Sequence, residues 1–432
     1  MIELNDKFLQ VIDLIEKTNK NVFITGCAGT GKSTLLDHFR RTTHKSIAIL
    51  APTGVAAVNV RGQTIHGFFR FKVGVTLASI TQKKTKENHK NIYQKIDTII
   101  IDEISMVRAD LLDCIDKFLR LNGPKLHEPF GGVQMIFIGD LMQLPPIVLP
   151  FDKHIFESHY ESPYFFSAQC MENFDMGVVE LEKIYRQKDE AYITLLTMIR
   201  YNSLTDEGLK TLNQRYDPDF RLSEDDFYVY LSPTNAQAKL INDTQLEGLK
   251  SPMHTFCGKV SGEFGEASYP AAMELSLKIG AQIMLLNNDS AKRWINGTVG
   301  KVTQIVQNTD NTMMISAKLD TGREVQIKPY TWEVYRFYLE EDILKSEVMG
   351  TFTQYPIALS WAMTIHKSQG KTFEKVVLDM GRGAFTHGQT YVALSRCTSL
   401  QGLILKKPLS KRDIWIDPRV KHFKERFSEV LH

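Results

Sequence analysis

Cysteine is scarce in this chain. The five residues, Cys27, Cys114, Cys170, Cys257 and Cys397, are scattered, odd in number and form no C-x-x-C pair, which argues against a disulfide framework or a structural zinc site. No apolar run approaches bilayer-spanning length, and residues 1–6 carry neither a basic region nor an apolar core. The reading is therefore a cytoplasmic protein with no membrane partner. An excess of either charge is also missing: 52 Lys and Arg face 50 Asp and Glu, for a net charge of +2. That balance neither demands nor excludes nucleic acid, because a positive groove can sit on a neutral surface. Internal repeats and low-complexity segments are absent as well. What remains, 432 residues with 43% hydrophobic and 24% charged, is the composition of a soluble globular protein of two to four domains.

Against that plain background stands Gly26-Cys27-Ala28-Gly29-Thr30-Gly31-Lys32-Ser33, followed by Thr34. It fits the phosphate-loop pattern G-x-x-x-x-G-K-S and has the flanks that pattern needs: a β-branched and aromatic run over 21–25 before it, and apolar residues at helical spacing over 34–39 after it. Glycines let the backbone N–H groups and the helix N-terminus point at phosphate with no Cβ in the way. Lys32 then serves the β and γ phosphates and the Ser33 hydroxyl serves Mg²⁺, which implies ATP with Mg²⁺.

Two further strands end in chemistry. The apolar run 98–101 delivers Asp102 and Glu103; downstream of a phosphate loop, Asp102 is expected to hold the hydrated Mg²⁺ and Glu103 to polarise an attacking water. Another leads to Gly139-Asp140-Leu141-Met142-Gln143-Leu144-Pro145-Pro146, where Gln143 is placed to sense the γ-phosphate or the water. Strands over about 22–25, 46–51, 98–102 and 134–139 alternate with helices. They predict an α/β fold with a parallel sheet, its ligand at the carboxyl ends of the strands.

Taken in order, seven blocks carry a family resemblance. They are the phosphate loop, Ala51-Pro52-Thr53-Gly54-Val55-Ala56-Ala57 with Gly62-Gln63-Thr64-Ile65-His66, Asp102-Glu103-Ile104-Ser105-Met106, the Gly139 block, Leu181-Glu182-Lys183-Ile184-Tyr185-Arg186-Gln187, Trp361-Ala362-Met363-Thr364-Ile365-His366-Lys367-Ser368-Gln369-Gly370, and Tyr391-Val392-Ala393-Leu394-Ser395-Arg396. Together they resemble superfamily 1 DNA helicases of the Pif (petite integration frequency) and RecD-like type, in a compact bacterial-type form. Residues 106–121 are similar to a Pif signature, and the resemblance runs from about residue 20 to about residue 400.

The resemblance implies two RecA-like P-loop NTPase lobes with parallel sheets and a small SH3-like β-barrel inserted in the second. The expected boundaries are 1–180 for the first lobe, with a small wedge at about 66–92, and 181–255 for the start of the second. An inserted region at 256–350, with barrel strands at about 297–345, precedes the remainder and tail at 351–432. Asn296-Gly297, Thr309-Asp310-Asn311 and Thr321-Gly322 are independent hairpin signals in that region.

Arg186 and Arg396 lie outside the first lobe and can bring positive charge to a transferring phosphoryl group when the second lobe closes. An interdomain ion pair is the plainer role for Arg186. Gly370 is assigned to the nucleotide and Gln10 to adenine; the spacing of residues 4–10 departs from the family pattern, so Asn5 and Phe8 stand as alternatives. The resemblance places Thr53, Gly54, Thr64 and His66 of the first lobe, and Thr234, Asn235, Thr364, His366 and Lys367 of the second, along single-stranded DNA. Small polar groups of this kind suit phosphates without reading sequence. Phe68 is added as a stacking or strand-separating surface, with a core position equally open to it and to Phe69. Lys83, Lys84, Lys86, Lys90 and Lys95 form a basic run that suits either a solvated face or DNA.

The implied activity is that of a monomeric ATP-dependent DNA helicase moving 5′ to 3′ on single strands, with duplex junctions and G-quadruplexes among its substrates and genome maintenance as its role. An RNA or RNA–DNA hybrid translocase is one alternative. A nucleotide-switched single-strand binding module is another, against which Glu103, Gln143 and the two arginines argue.

Overall fold

Four runs of Ile, Val and Phe become neighbouring strands of one parallel sheet. In the computed structural model, which describes residues 5–72, 74–81, 92–148, 152–187, 189–223, 226–307, 313–340, 343–381 and 383–426, this sheet holds β1 (Asn21–Gly26), β2 (Ile47–Ala51), β3 (Gln63–Thr64), β4 (Thr98–Ile101), β5 (Gln134–Ile138) and β6 (Met176–Leu181). Their spatial order is β3-β2-β4-β5-β1-β6. Alternate residues feed opposite faces: Phe23, Ile99, Ile101, Met135 and Phe137 enter one core, while Val22, Ile24, Ile100, Ile136 and Ile138 enter another. Both faces are therefore dry, which is why these runs are continuously apolar. The second core is closed by Phe8, Val11 and Ile15 of the helix Asp6–Lys17 and by Leu35, Leu36 and Phe39 of the helix Lys32–Thr42. Burying side chains of this size contributes roughly 1.5–3 kcal/mol each.

The chain next builds β7 (Val229–Ser232) and then leaves this α/β layer for a β-rich excursion over residues 254–359. The excursion contains β8 (His254–Cys257), β9 (Lys259–Gly262), β10 (Glu274–Leu277), β11 (Gln282–Leu285), β12 (Val299–Gln307), β13 (Met313–Leu319), β14 (Glu324–Ile327), β15 (Tyr330–Glu340), β16 (Ile343–Gln354) and β17 (Ile357–Leu359). It returns in β18 (Ala362–Thr364), β19 (Val376–Leu378) and β20 (Leu403–Leu405), which flank β7 in a second parallel sheet ordered β18-β7-β19-β20.

Within the excursion the strands form three antiparallel sheets, β14-β13-β12-β11-β17, β15-β16-β9 and β10-β8. Two of the turn signals mark its hairpins: Gly297 (φ 100) separates β11 from β12, and Gly322 (φ 80) separates β13 from β14. Residues 309–311 lie outside the described residues. The β structure begins before 297 and continues past 345, because strands β12 to β14 cannot close a core alone. Leu277, Ile283, Leu285 and Ile357 complete the cluster around Ile315, Leu319 and Ile327. Of the expected wedge, residues 73 and 82–91 are outside the described part, and with them Lys83, Lys84, Lys86 and Lys90; Lys95 is exposed. Among the described residues no helix is long and apolar enough to cross a membrane.

Candidate nucleotide site and strand-facing surface

Strands β4, β5 and β1 are adjacent, so the loops that follow them converge. The loop after β1 curls through Gly29 (φ 87) and Gly31 (φ 86), conformations that favour glycine. Space is as restrictive as backbone angle there. A Cβ on Gly29 would sit 2.4 Å from the Arg186 Cβ, and one on Gly31 would sit 2.9 Å from Phe8 Cζ. Gly31 caps the helix Lys32–Thr42, whose first-turn N–H groups open toward the loop. Thr30, fully buried, ties its hydroxyl to the Cys27 carbonyl at 2.9 Å. Lys32 Nζ donates to the carbonyls of Gly26 at 2.7 Å and Cys27 at 3.0 Å. Burial lowers its pKa, against the opposing charges of Asp140 and Glu103. Ser33 is exposed on the first helical turn and Thr34 is half-buried.

Asp102 and Glu103 emerge from β4 into the same space. Burial and the Glu103 charge push the Asp102 carboxyl up to about 7. Burial raises Glu103 too, while Lys32 and Arg396 pull it back. Glu103 holds a left-handed backbone (φ 52, ψ 43), a conformation that costs a non-glycine residue about 1 kcal/mol or more. Gln143, from the loop after β5, is buried and donates through Nε2 to Asp140 Oδ2 at 3.1 Å.

Groups from later in the chain complete the site. The Tyr185 N–H donates to the Gly29 carbonyl at 2.9 Å, and Arg186 Nη2 donates to the Gly370 carbonyl at 3.2 Å. Arg186 Nη1 is buried with no hydrogen-bond partner among the described residues. Gln369 Nε2 reaches Glu103 Oε2 at 3.3 Å, and the Ala28 N–H donates to the Tyr391 hydroxyl at 3.1 Å. Arg396 is 1% exposed. Its Nε donates to Val392 O at 2.9 Å, Nη1 to Ser368 O and Lys371 O at 3.3 Å each, and Nη2 to Ser395 Oγ at 2.8 Å. Burial, reinforced by the like charge of Arg186, brings its pKa down to about 9. His387 bridges the two lobes differently: its Nδ1 accepts from the Asp417 N–H at 3.0 Å, so Nε2 carries the proton and donates to Leu141 O at 2.8 Å.

Three expectations need correction. Gln10 lies on the exposed side of its helix, whereas Phe8 is buried against Gly31, with Asn5 and Tyr185 beside it. Phe68 is 3% exposed and packs edge-on against Phe69, Tyr93 and Phe337, with ring centroids 4.9, 5.5 and 5.9 Å away. Its ring faces are spent on the core. Thr364 is buried and its hydroxyl accepts from the Lys367 N–H at 3.2 Å, so it shapes its turn rather than facing solvent.

The other strand-facing candidates share a local design. In each lobe a strand is followed by proline and a threonine that caps a helix: Thr53 accepts from the Ala56 N–H at 3.2 Å and Thr234 from the Gln237 N–H at 3.4 Å. Thr64 caps the next helix of the first lobe, accepting from the Gly67 N–H at 3.0 Å. Thr234, Asn235 and Lys367 are exposed, and His66 and His366 are half-buried, with pKa values lowered by burial. Gly54 is covered by the inserted region, since a Cβ there would lie 2.1 Å from Ser268 Oγ. Beside it a cleft of about 470 Å³ separates the first lobe from β15, β16 and the segment that follows β9, lined by Thr64, Arg70, Glu263, Arg336 and Phe337 among others.

Sequence reasoning missed Asp140, Gln369 and Tyr391 as site groups although each stands inside a quoted block, and it missed Arg200, which no block contains.

A phosphate loop, paired carboxylates beyond a parallel strand and basic groups arriving from a second α/β layer define a P-loop nucleotide-binding protein. The family follows from comparison with known proteins: a PIF1-like helicase profile matches residues 3–199, and one described as the DNA helicase Pif1 2B domain matches residues 266–305. ATP-dependent DNA helicase Pif1 of Bdellovibrio bacteriovorus is 32% identical over 99% of this chain and 92% of its own length. Human ATP-dependent DNA helicase PIF1 is 31% identical over 98% of this chain, which spans 63% of that protein. Unliganded Pif1 from Bacteroides sp. superposes with a TM-score of 0.88 at 35% identity, covering 98% of this chain and 97% of that one. The same protein in complex with ADP-AlF4 gives 0.87, and bound to ssDNA 0.69. The chain belongs to the PIF1-like helicase family.

Proposed function

We propose that this protein is an ATP-dependent DNA helicase, powered by hydrolysis between two α/β lobes that we read as RecA-like. The observation that carries the reading is Arg186, which packs on Gly29 and Gly370 yet keeps Nη1 buried and unpartnered among the described residues. Such a donor costs about 1–3 kcal/mol unless something accepts from it, and at a phosphate loop the fitting acceptor is an anionic phosphate oxygen. The loop N–H groups and Lys32 bind the phosphates, Gln143 orients water, Glu103 polarises it, and Arg186 and Arg396 oppose the charge that develops. Asn5 and Tyr185, beside the buried Phe8, frame the base.

The residues also fit Mg²⁺. Ser33 is exposed on the first turn and Asp102 stands beside Glu103 at the end of β4; no cluster of three or more His, Cys, Asp or Glu able to hold a metal occurs among the described residues. Two ligands suit a cation bound mainly by nucleotide and water, which would neutralise charge on the phosphates.

Single-stranded DNA is read as crossing the helix ends capped by Thr53, Thr64 and Thr234, with Asn235, His66, His366 and Lys367 nearby. The contact of Ser268 with Gly54 covers part of that path. The lower TM-score to the ssDNA-bound Bacteroides structure, at nearly the same coverage, fits an overall arrangement that differs between the strand-free and strand-bound forms. We read the five-stranded sheet of the excursion as the SH3-like barrel. Family membership supports the finer features: 5′ to 3′ movement, action at duplex junctions and G-quadruplexes, genome maintenance, a monomeric state and a cytoplasmic location, where ATP and DNA are found.

The test is ATP-driven strand displacement on duplexes with a 5′ or a 3′ single-stranded tail. Displacement of the 5′-tailed duplex alone is expected. Failure on both, or stronger stimulation of hydrolysis by RNA than by DNA, would overturn the reading.

A further inference from the structure

Arg200 is 3% exposed and ends the helix Glu190–Arg200, outside every quoted block. Its guanidinium is divided between two carboxylates. Nη2 donates to Asp140 Oδ1 at 3.2 Å, and Nη1 donates to Glu180 Oε1 at 2.7 Å and to the Tyr201 hydroxyl at 2.5 Å. Asp140 is fully buried, and its oxygens are divided as well: Oδ1 also accepts the Met142 N–H at 3.1 Å, and Oδ2 accepts Gln143 Nε2 at 3.1 Å. Without Arg200 the buried Asp140 carboxylate would lose its guanidinium partner near Glu103, which already feels its charge. A carboxylate that loses this partner is free to turn, and the oxygen that accepts from Gln143 Nε2 turns with it.

The other end of the same helix is fastened elsewhere. Its cap, Asp189, accepts the Tyr192 N–H through Oδ1 at 3.0 Å and the Leu400 N–H through Oδ2 at 3.3 Å. The buried Tyr192 hydroxyl donates to Leu394 O at 2.8 Å, two residues before Arg396. Just upstream, Gln187 Nε2 donates to Ser395 O and Cys397 O, at 3.0 and 3.3 Å, on either side of Arg396. One helix of about 16 Å thus joins the segment that carries Arg396 to the carboxylate that holds Gln143.

We propose that Arg200 is a positioning residue for ATP hydrolysis, holding Gln143 through Asp140 and making its placement depend on the lobe that carries Arg396. The arrangement goes beyond an isolated ion pair, because Arg200 holds one Asp140 oxygen while Gln143 donates to the other. The inference rests on the proposed ATPase reading.

The test is a double-mutant cycle of Arg200→Gln and Gln143→Ala, reading kcat and KM for DNA-stimulated ATP turnover, ADP affinity and the melting transition. Arg200→Gln is expected to lower kcat by about 10²-fold, the cost of slightly misplacing a reacting group, with ADP affinity close to parental. In the Gln143→Ala background it should lower kcat little further, because the two losses share one cause. Additive losses, or a parental kcat in Arg200→Gln, overturn the inference. If Arg200→Gln does not melt cooperatively, Arg200→Lys, which keeps the buried charge, is put through the same cycle under the same criterion. Lys32→Ala separates the two readings: if parental turnover does not depend on Lys32, the ATPase assignment fails, and if it does while the cycle is additive, only the role of Arg200 falls.

Discussion

Gln369 Nε2 donates to Glu103 Oε2 across 3.3 Å, so the second lobe touches the carboxylate that the first lobe delivers. Glu103 is already in an unfavourable left-handed backbone, and burial holds its carboxyl above the ordinary range. An acceptor for a water proton gains from a raised pKa. Glu103→Gln removes the acceptor while keeping the shape, so nucleotide binding should persist and turnover should fall to near background with saturating DNA. Hydrolysis near the parental rate in that variant would remove Glu103 from the chemistry.

The two arginines should fail differently. Arg186 keeps one buried nitrogen with no hydrogen-bond partner among the described residues, whereas Arg396 spends its donors on the carbonyls of Val392, Ser368 and Lys371. Arg186→Ala is expected to cut kcat by roughly 10³-fold, the scale of an arginine finger, with a melting temperature close to parental. Arg396→Ala should lose turnover and also destabilise the protein by about 2–4 kcal/mol, since three buried carbonyls lose partners. Differential scanning calorimetry beside steady-state kinetics separates the two, and an unchanged melting transition in Arg396→Ala would contradict the structural half of its role.

The difference between these arginines was not legible in the sequence. Strand runs such as 98–101 declare themselves because both faces of the sheet are dry, and the glycines of the loop declare themselves because Gly29 and Gly31 meet Arg186 and Phe8 at distances no side chain tolerates. Phe68 was ambiguous because an aromatic beside a polar block suits a core or a surface equally, and only its contacts with Tyr93 and Phe337 decide. Gln10 and Phe8 share one helix, and rotation about its axis, set by packing on Leu35 and Phe39, chooses which faces the loop. Arg200 had no local signal at all, since its meaning comes from Asp140 and Glu180, 60 and 20 residues away.

Glu180 gives a pH prediction. Burial alone would raise its carboxyl, but the Arg200 charge and the Lys424 hydrogen bond outweigh burial and hold it at about 2, below the ordinary 4.5. A depressed folded value means stability that is present above the ordinary pKa and is lost as pH falls toward about 2. The gap corresponds to about 3 kcal/mol at most, reduced where solvent reaches the carboxylate. Glu180→Gln should therefore melt lower than the parent at neutral pH, and the difference should shrink as the solution is acidified below about pH 4. A difference that stays constant with pH would show that the carboxylate charge contributes nothing.

Phe337 on the long β15–β16 ribbon packs edge-on against Phe68 of the first lobe at 5.9 Å, beside the cleft of about 470 Å³ and close to the cover of Ser268 on Gly54. This contact holds the inserted region over the first-lobe helix ends where the strand is proposed to lie. An edge-on aromatic pair is worth about 0.5–1.5 kcal/mol beyond burial, so its removal shifts the balance away from the covered arrangement without touching any group at the phosphate loop. Phe337→Ala should bind single-stranded DNA several-fold more tightly in the absence of nucleotide, because less of the binding free energy goes into uncovering the path. Its ADP affinity should match the parent. Fluorescence anisotropy with a labelled oligonucleotide reads the effect directly, and unchanged or weaker strand binding in a variant that still melts cooperatively would mean that the inserted region does not obstruct the strand.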